Sequence, residues 1–247
     1  MEDRCVGLND TSQTDLRDFD LVAAAAHELK TPLTIISGTA SMIHDGYATD
    51  KKTRQDYLQR ILQSSDRLLN TIDSLIDLSQ TQHDSTMQLQ TVLVRPAIEN
   101  VLVELEPMLS LRGQATVVKV STRAKSLYAE ERLLHRALFN LIENASKYSS
   151  DGSTVSVTVR KSQNRIRFEV RDQGVGIRKA DISKLFRAFG KIKQPVAAHA
   201  GSNGLGLYVS QTIAQAHGGR ITASPCRGGS IFCLELPVVH QLSLFAS

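Results

Sequence analysis

Tryptophan is absent from this chain, and aromatic residues make up only 5% of its 247 positions. The 29 Lys and Arg exceed the 25 Asp and Glu by only four, and they are scattered along the sequence. A basic stripe interleaved with aromatics is therefore missing, and nucleic-acid binding is not expected. No apolar run comes near the roughly 20 residues that cross a bilayer; Leu21 to Ala26 is far too short. The amino terminus also lacks the charged start and apolar core of a signal peptide. Cys5, Cys226 and Cys233 form neither a CxxC pair nor an even set, which suits a reducing cytoplasm. The phosphate-binding motif G-x-x-x-x-G-K-[ST] does not occur, nor does a dinucleotide fingerprint after a first strand. The H-R-D and D-F-G signatures are missing too. The expectation is a soluble, cytoplasmic chain; an anchored parent protein is compatible with it.

What is present is periodicity. Residues 1–14 are polar and read as a flexible lead-in. Phe19, Val22, Ala26, Leu29, Leu33, Ile36, Ala40 and Ile43 then recur at alternating spacings of three and four, a seam on one helix face. His44-Asp45-Gly46 and Thr49-Asp50 supply turn and cap chemistry. A second helix is predicted from about Lys51 to Gln82, with two neighbouring apolar lines. One is Tyr57, Ile61, Leu68, Leu75 and Leu78; the other is Leu58, Leu62, Leu69, Ile72 and Ile76. That face is too wide for a two-stranded seam. An antiparallel helical hairpin follows, and pairing two copies into a four-helix bundle is the economical way to cover it. A homodimer is expected; a monomeric hairpin packed on the rest of the chain is the alternative.

After His83-Asp84-Ser85 the pattern changes. Strand-like runs at 116–120, 155–159 and 166–170 alternate with helical stretches near Pro96 to Leu111, Glu130 to Tyr148 and Leu205 to His217. Strands at Arg220 to Ala223 and Ser230 to Leu236 follow. Mixed elements of this kind predict an α/β sandwich, a sheet covered by helices. The division read from the sequence is a lead-in at 1–14, a hairpin at 15–84, an α/β domain at 85–240 and a tail at 241–247.

Chemistry-bearing residues cluster in four places. The first is His27-Glu28-Leu29-Lys30-Thr31-Pro32-Leu33-Thr34. Glu28 can take the Nδ1 proton of the imidazole and make Nε2 a better nucleophile. Thr31 lies one turn on, on the same face, and Pro32 should bend the helix. The second is the run from Leu138 to Ser149, in which Asn140 and Asn144 put two amide oxygens on one helix face. Oxygen ligands of that kind suit Mg²⁺, which keeps water and phosphates as its others, and Lys147 can meet phosphate as a point charge. The third is Asp172-Gln173-Gly174-Val175-Gly176-Ile177, directly after a strand. Its carboxylate can accept from an exocyclic amine, and its glycines admit a flat ring. The fourth is Gly201-Ser202-Asn203-Gly204-Leu205-Gly206-Leu207, leading into a helix whose first N–H groups face phosphate. Between the last two lie Leu185-Phe186-Arg187-Ala188-Phe189 and a stretch from Gly190 to Asn203 that reads as a lid.

In type, spacing and order these boxes resemble those of sensor histidine kinases: H-box, N-box, two glycine boxes and an F-box. The resemblance runs over nearly all of residues 15 to 238. It implies a HisKA-type dimerisation hairpin and a GHKL-type ATP-binding domain. It implies that His27 is phosphorylated, with Glu28 and Thr31 beside it. Asn144 would be the main Mg²⁺ ligand and Asn140 would assist, while Lys147 and Tyr148 contact the nucleotide. Asp172 would read the adenine amino group, with Gly174, Gly176 and Ile177 around the ring; Gln173 stands where Asn or Thr is usual. Gly204, Leu205, Gly206 and Leu207 would lie against phosphate. The phosphoryl group would pass in trans to an aspartate of a response regulator, and Thr31 would serve a reverse, phosphatase reaction. An ATPase of the wider superfamily and a scaffold with a degenerate site are the alternatives.

Overall fold

A computed structural model describes residues 11–82, 87–190 and 204–238. The chain forms two compact units that meet between Asp73 and Ser74. The first is built on helix α1 (Thr11–His44) and most of helix α2 (Lys51–Gln82). α1 begins at Thr11, inside the stretch expected to be a lead-in, because extending an existing helix costs little per residue. It also runs on through Pro32. The turn at its end closes as a Schellman motif. Gly46, at φ 81°, donates to the Ile43 carbonyl at 3.3 Å and Tyr47 N to that of Met42 at 3.0 Å. Asp50 caps α2, accepting from Thr53 N at 2.9 Å and Thr53 Oγ1 at 2.6 Å. The Thr53 hydroxyl and then its backbone N–H hold the Asp50 carboxyl below its usual range.

The two apolar lines of α2 meet different fates. Tyr57, Ile61, Leu68 and Leu75 are half-buried and Leu78 is buried, together with Ser64, Thr71 and Ser74. Leu58, Leu62, Leu69, Ile72 and Ile76 remain exposed.

The second unit is a five-stranded sheet in the order β2-β4-β5-β7-β6. Its strands are β2 (Ala115–Val120), β4 (Thr154–Ser162), β5 (Arg165–Arg171), β6 (Arg220–Cys226) and β7 (Gly229–Pro237). β2 pairs parallel with β4, and the other neighbours are antiparallel. Alternation puts Val155, Val157, Val159, Ile166, Phe168, Val170 and Leu234 on one face, all fully buried. Helices α3 (Val94–Leu111), α4 (Glu131–Tyr148) and α6 (Gly206–Ala216) supply the matching layer: Ile98, Val101, Leu134, Leu138, Leu141, Val209 and Ile213. The opposite face presents Lys119, Arg160, Arg167 and Arg171 to water, as a one-sided sheet does. A separate pair, β1 (Gln90–Leu93) and β3 (Ser126–Ala129), was not foreseen. A short turn of helix, α5 (Ile182–Leu185), precedes the F-box phenylalanines. The expected lid falls mainly on 191–203, outside the described residues.

Candidate active site

His27 stands exposed on α1, with Glu28 half-buried beside it. Pro32 deprives the Glu28 carbonyl of its usual helical donor. On either side, threonine hydroxyls bond back to carbonyls four residues earlier: Thr31 Oγ1 donates to His27 O at 3.2 Å and Thr34 Oγ1 to Lys30 O at 2.8 Å. Thr31 is exposed on the His27 helix, and the bond it makes is local.

The remaining predicted residues are brought together in the second unit. α4 is strongly capped: Glu130 accepts through its side chain from Arg132 N and Leu133 N at 3.2 and 2.7 Å. From that start the helix carries Asn140, 5% exposed, and Asn144, half-buried, one turn apart. Asn140 Nδ2 donates to Gly206 O at 3.0 Å and approaches Ser210 Oγ at 3.4 Å. A flipped amide would set oxygen against the Gly206 carbonyl, so Oδ1 is the pole left to accept. This single bond joins the N-box to the second glycine box, where Leu205 is fully buried and Gly204 and Leu207 are half-buried.

The far end of α4 is joined to the first glycine box. Gly174 lies so close that a Cβ there would stand 2.0 Å from Tyr148 O; only glycine fits. Ser149 bridges to Gly174, and its Oγ accepts from Gln173 N at 2.9 Å. Asp172 is 3% exposed. Its Oδ1 accepts from Gly174 N and from Ser230 N, each at 2.9 Å. Burial pushes this carboxyl above its usual range, and the two backbone N–H groups offset only part of that shift. Gln173, the departure from the usual residue, turns its Oε1 to Thr154 N at 2.8 Å. It ties the loop to the start of β4. Gly176 and Ile177 follow, both half-buried.

Lys147 is paired along its own helix. Its Nζ lies 2.8 Å from Glu143 Oε1, an i,i+4 pair that uses one of its three N–H donors and leaves the others for phosphate. Mg²⁺ fits the donor set. Among the described residues no group of three His, Cys, Asp or Glu could hold a metal, but the oriented Asn140 amide and Asn144 are neutral oxygen donors of the kind Mg²⁺ takes alongside phosphates and water.

Several supporting residues were not anticipated. Arg112 donates through Nη2 to Ser149 O at 2.8 Å, binds the Ser146 carbonyl and meets Asp151 at 2.9 Å. Gln114 Nε2 reaches Ser146 O and Ser150 O at 3.1 and 3.0 Å. Together they satisfy the Ser146 carbonyl in the last turn of α4 and those of Ser149 and Ser150 just beyond it. The only sequence signal was an arginine and a glutamine flanking Gly113 just after a helix.

Comparison with known proteins bears on the family of the chain. Residues 19–84 match the family model described as the His Kinase A (phospho-acceptor) domain. Residues 129–240 match that of the histidine kinase-, DNA gyrase B-, and HSP90-like ATPase. The chain belongs to the sensor histidine kinase family. The histidine kinase core is 30% identical over 219 residues to the sensor-like histidine kinase SenX3 of Mycolicibacterium smegmatis, covering 88% of this chain and 57% of that protein. It is 28% identical to the sensor protein KdpD of Clostridium acetobutylicum, covering 88% of this chain but 24% of that protein. The chain therefore spans only part of the length of these relatives. Among solved structures, the histidine kinase AdeS of Acinetobacter baumannii aligns with a TM-score of 0.67 at 26% identity, over 86% of this chain and 98% of that one. The histidine kinase ThkA, solved in complex with response regulator protein TrrA, shares the fold with a TM-score of 0.72 at 20% identity, over 96% of this chain and 68% of that one.

Proposed function

We propose that this histidine kinase core transfers the γ-phosphate of ATP to His27 and passes it on to an aspartate of a response regulator. The observation that carries this reading is the pairing, in one chain, of an exposed histidine on a proline-containing helix with the joined boxes of the second unit. In the transfer, neutral His27 attacks through Nε2 and the bond to the γ-phosphorus forms. The bond to the bridging oxygen breaks, and ADP leaves with its electron pair. The Nδ1 proton passes to Glu28. Positioning and charge neutralisation supply most of the rate. Asp172 accepts from the adenine amino group, Lys147 turns a further N–H to phosphate, and the backbone at Gly204 to Leu207 lies along the phosphates. Asn144 and Asn140 hold Mg²⁺, which neutralises phosphate charge when bound. The chain acts as a homodimer in the cytoplasm, the exposed line of α2 in one copy covered by its partner copy. Among the described residues no helix is long and apolar enough to cross a membrane.

The test is labelling with γ-³²P-ATP. Wild-type chain is expected to retain label as a phosphoramidate, stable in base and lost in acid. His27→Gln should retain none while binding ATP normally. Label persisting on His27→Gln would overturn the assignment of His27 as acceptor, and free phosphate alone from the wild type would favour the ATPase reading.

A further inference from the structure

The two helices that carry most of the proposed ATP site, α4 and α6, pack against each other and are tied at two separated points. One tie is the bond from Asn140 Nδ2 to Gly206 O, beside the proposed site. The other joins the start of α4 to the end of α6. There His217, the C-cap of α6, is 2% exposed, and its Nε2 accepts from the backbone N–H of Glu130 at 3.0 Å. Its Nδ1 lies 2.8 Å from the Ile213 carbonyl. A carbonyl only accepts, so Nδ1 carries the proton and Nε2 is bare; the two contacts select one neutral tautomer.

The ties are about ten residues apart on each helix, or roughly 15 Å. One tie leaves a helix free to roll or slide against its neighbour; two set its register. That register decides how far the Asn140 and Asn144 oxygens stand from the backbone at Gly206. Burial obliges both ring nitrogens to find partners, and the partner that Nε2 takes is the N–H of Glu130, the N-cap of the N-box helix. We infer that His217 is a positioning residue for the nucleotide site, holding α4 against α6 through Glu130 without touching the nucleotide. The inference rests on the reading of that site as one for ATP.

The experiment uses the full chain, with calorimetric binding of ATP in Mg²⁺ and the rate of His27 labelling at saturating ATP. His217→Asn keeps a donor for Ile213 but lacks an acceptor that reaches Glu130; His217→Gln can place Oε1 near the lost Nε2. His217→Asn should raise the ATP Kd and KM about threefold to tenfold, the worth of one hydrogen bond. The saturating rate should stay within about twofold, and His217→Gln should recover most of the affinity. A second pair leaves the histidine in place. Glu130→Ala and Glu130→Pro both remove the capping carboxylate, but only proline removes the N–H, and the φ of −80° at this position suits it. Glu130→Pro should bind ATP more weakly than Glu130→Ala by the same factor. ATP affinity unchanged in His217→Asn and equal in the two Glu130 variants would overturn the inference alone. So would a His217→Gln protein as impaired as His217→Asn. Wild-type chain that binds no ATP would overturn the ATP reading itself.

Discussion

The two units differ in how far each completes its own core. In the second, more than a dozen large apolar side chains, from Ile98 through Phe168 to Leu234, are fully buried. In the first, among the described residues, the buried apolar side chains are the small ones of Ala25, Pro32 and Ala48. Its larger ones stand in water: Val22 is 67% exposed, Leu62 65% and Leu69 57%. A sheet with helices against one face closes on itself, whereas two helices leave a wide apolar surface. The nucleotide boxes thus sit on a finished scaffold, and the histidine sits on one that requires a partner.

The largest effects should separate the units cleanly. Phe168→Ala removes a fully buried ring from the centre of the sheet and should cost about 3–5 kcal/mol, unfolding the second unit on mild heating. Leu62→Lys with Leu69→Lys should leave the thermal unfolding of that unit unchanged yet convert the chain from dimer to monomer in sedimentation. Each exposed leucine contributes roughly 1.5–3 kcal/mol when fully covered. A double variant that stays dimeric would show that the exposed line of α2 is not the contact between copies.

This contrast also explains what could be read beforehand. Periodicity located α2 to the residue, and it separated the two apolar lines, although not which would be covered. The boxes were legible because their chemistry is local: a carboxylate after a strand, two asparagines one turn apart, glycines before a helix. The β1–β3 pair was not, since four-residue strands buried only at Val92, Leu127 and Ala129 carry too short an alternation to register. Contacts between distant residues were equally hidden. Nothing near Glu130 announces a partner at His217, and nothing near Arg112 announces the carbonyls at the end of α4.

Asp172 offers a test of intermediate size. Burial raises its pKa, so the charged form is costly when folded, and that cost is relieved as pH falls through the raised value. Stability should therefore not drop on its account. In the proposed adenine contact the carboxylate is the acceptor, so ATP affinity should fall as pH is lowered, beginning above the ordinary carboxylate range. Asp50, whose carboxyl is held low by Thr53, behaves oppositely. Its capping contribution is present above the ordinary value and disappears as pH drops through the depressed one. Asp172→Asn should weaken ATP binding about tenfold to a hundredfold, the loss of a hydrogen bond to a charged group, and should flatten the pH dependence. A wild-type affinity that is constant down to pH 4 would remove Asp172 from the adenine contact.

The smallest effect on stability is expected at Thr31. Its hydroxyl bonds only the His27 carbonyl, at 3.2 Å and in contact with solvent, so water replaces it readily and Thr31→Ala should change stability by less than about 0.5 kcal/mol. Autophosphorylation does not need the hydroxyl, because the imidazole is itself the nucleophile. Hydrolysis of the regulator's phosphate is different: water must attack an aspartyl phosphate docked near His27, the aspartate leaving as its carboxylate, and a hydroxyl one turn away can orient that water. Using it there means giving up the bond to His27 O, a small cost at an exposed site. Thr31→Ala should thus label at the wild-type rate while removing phosphate from a purified phosphorylated receiver domain at least tenfold more slowly. Equal loss of both rates, with helix content and dimerisation unchanged, would reduce Thr31 to local support of the backbone before Pro32.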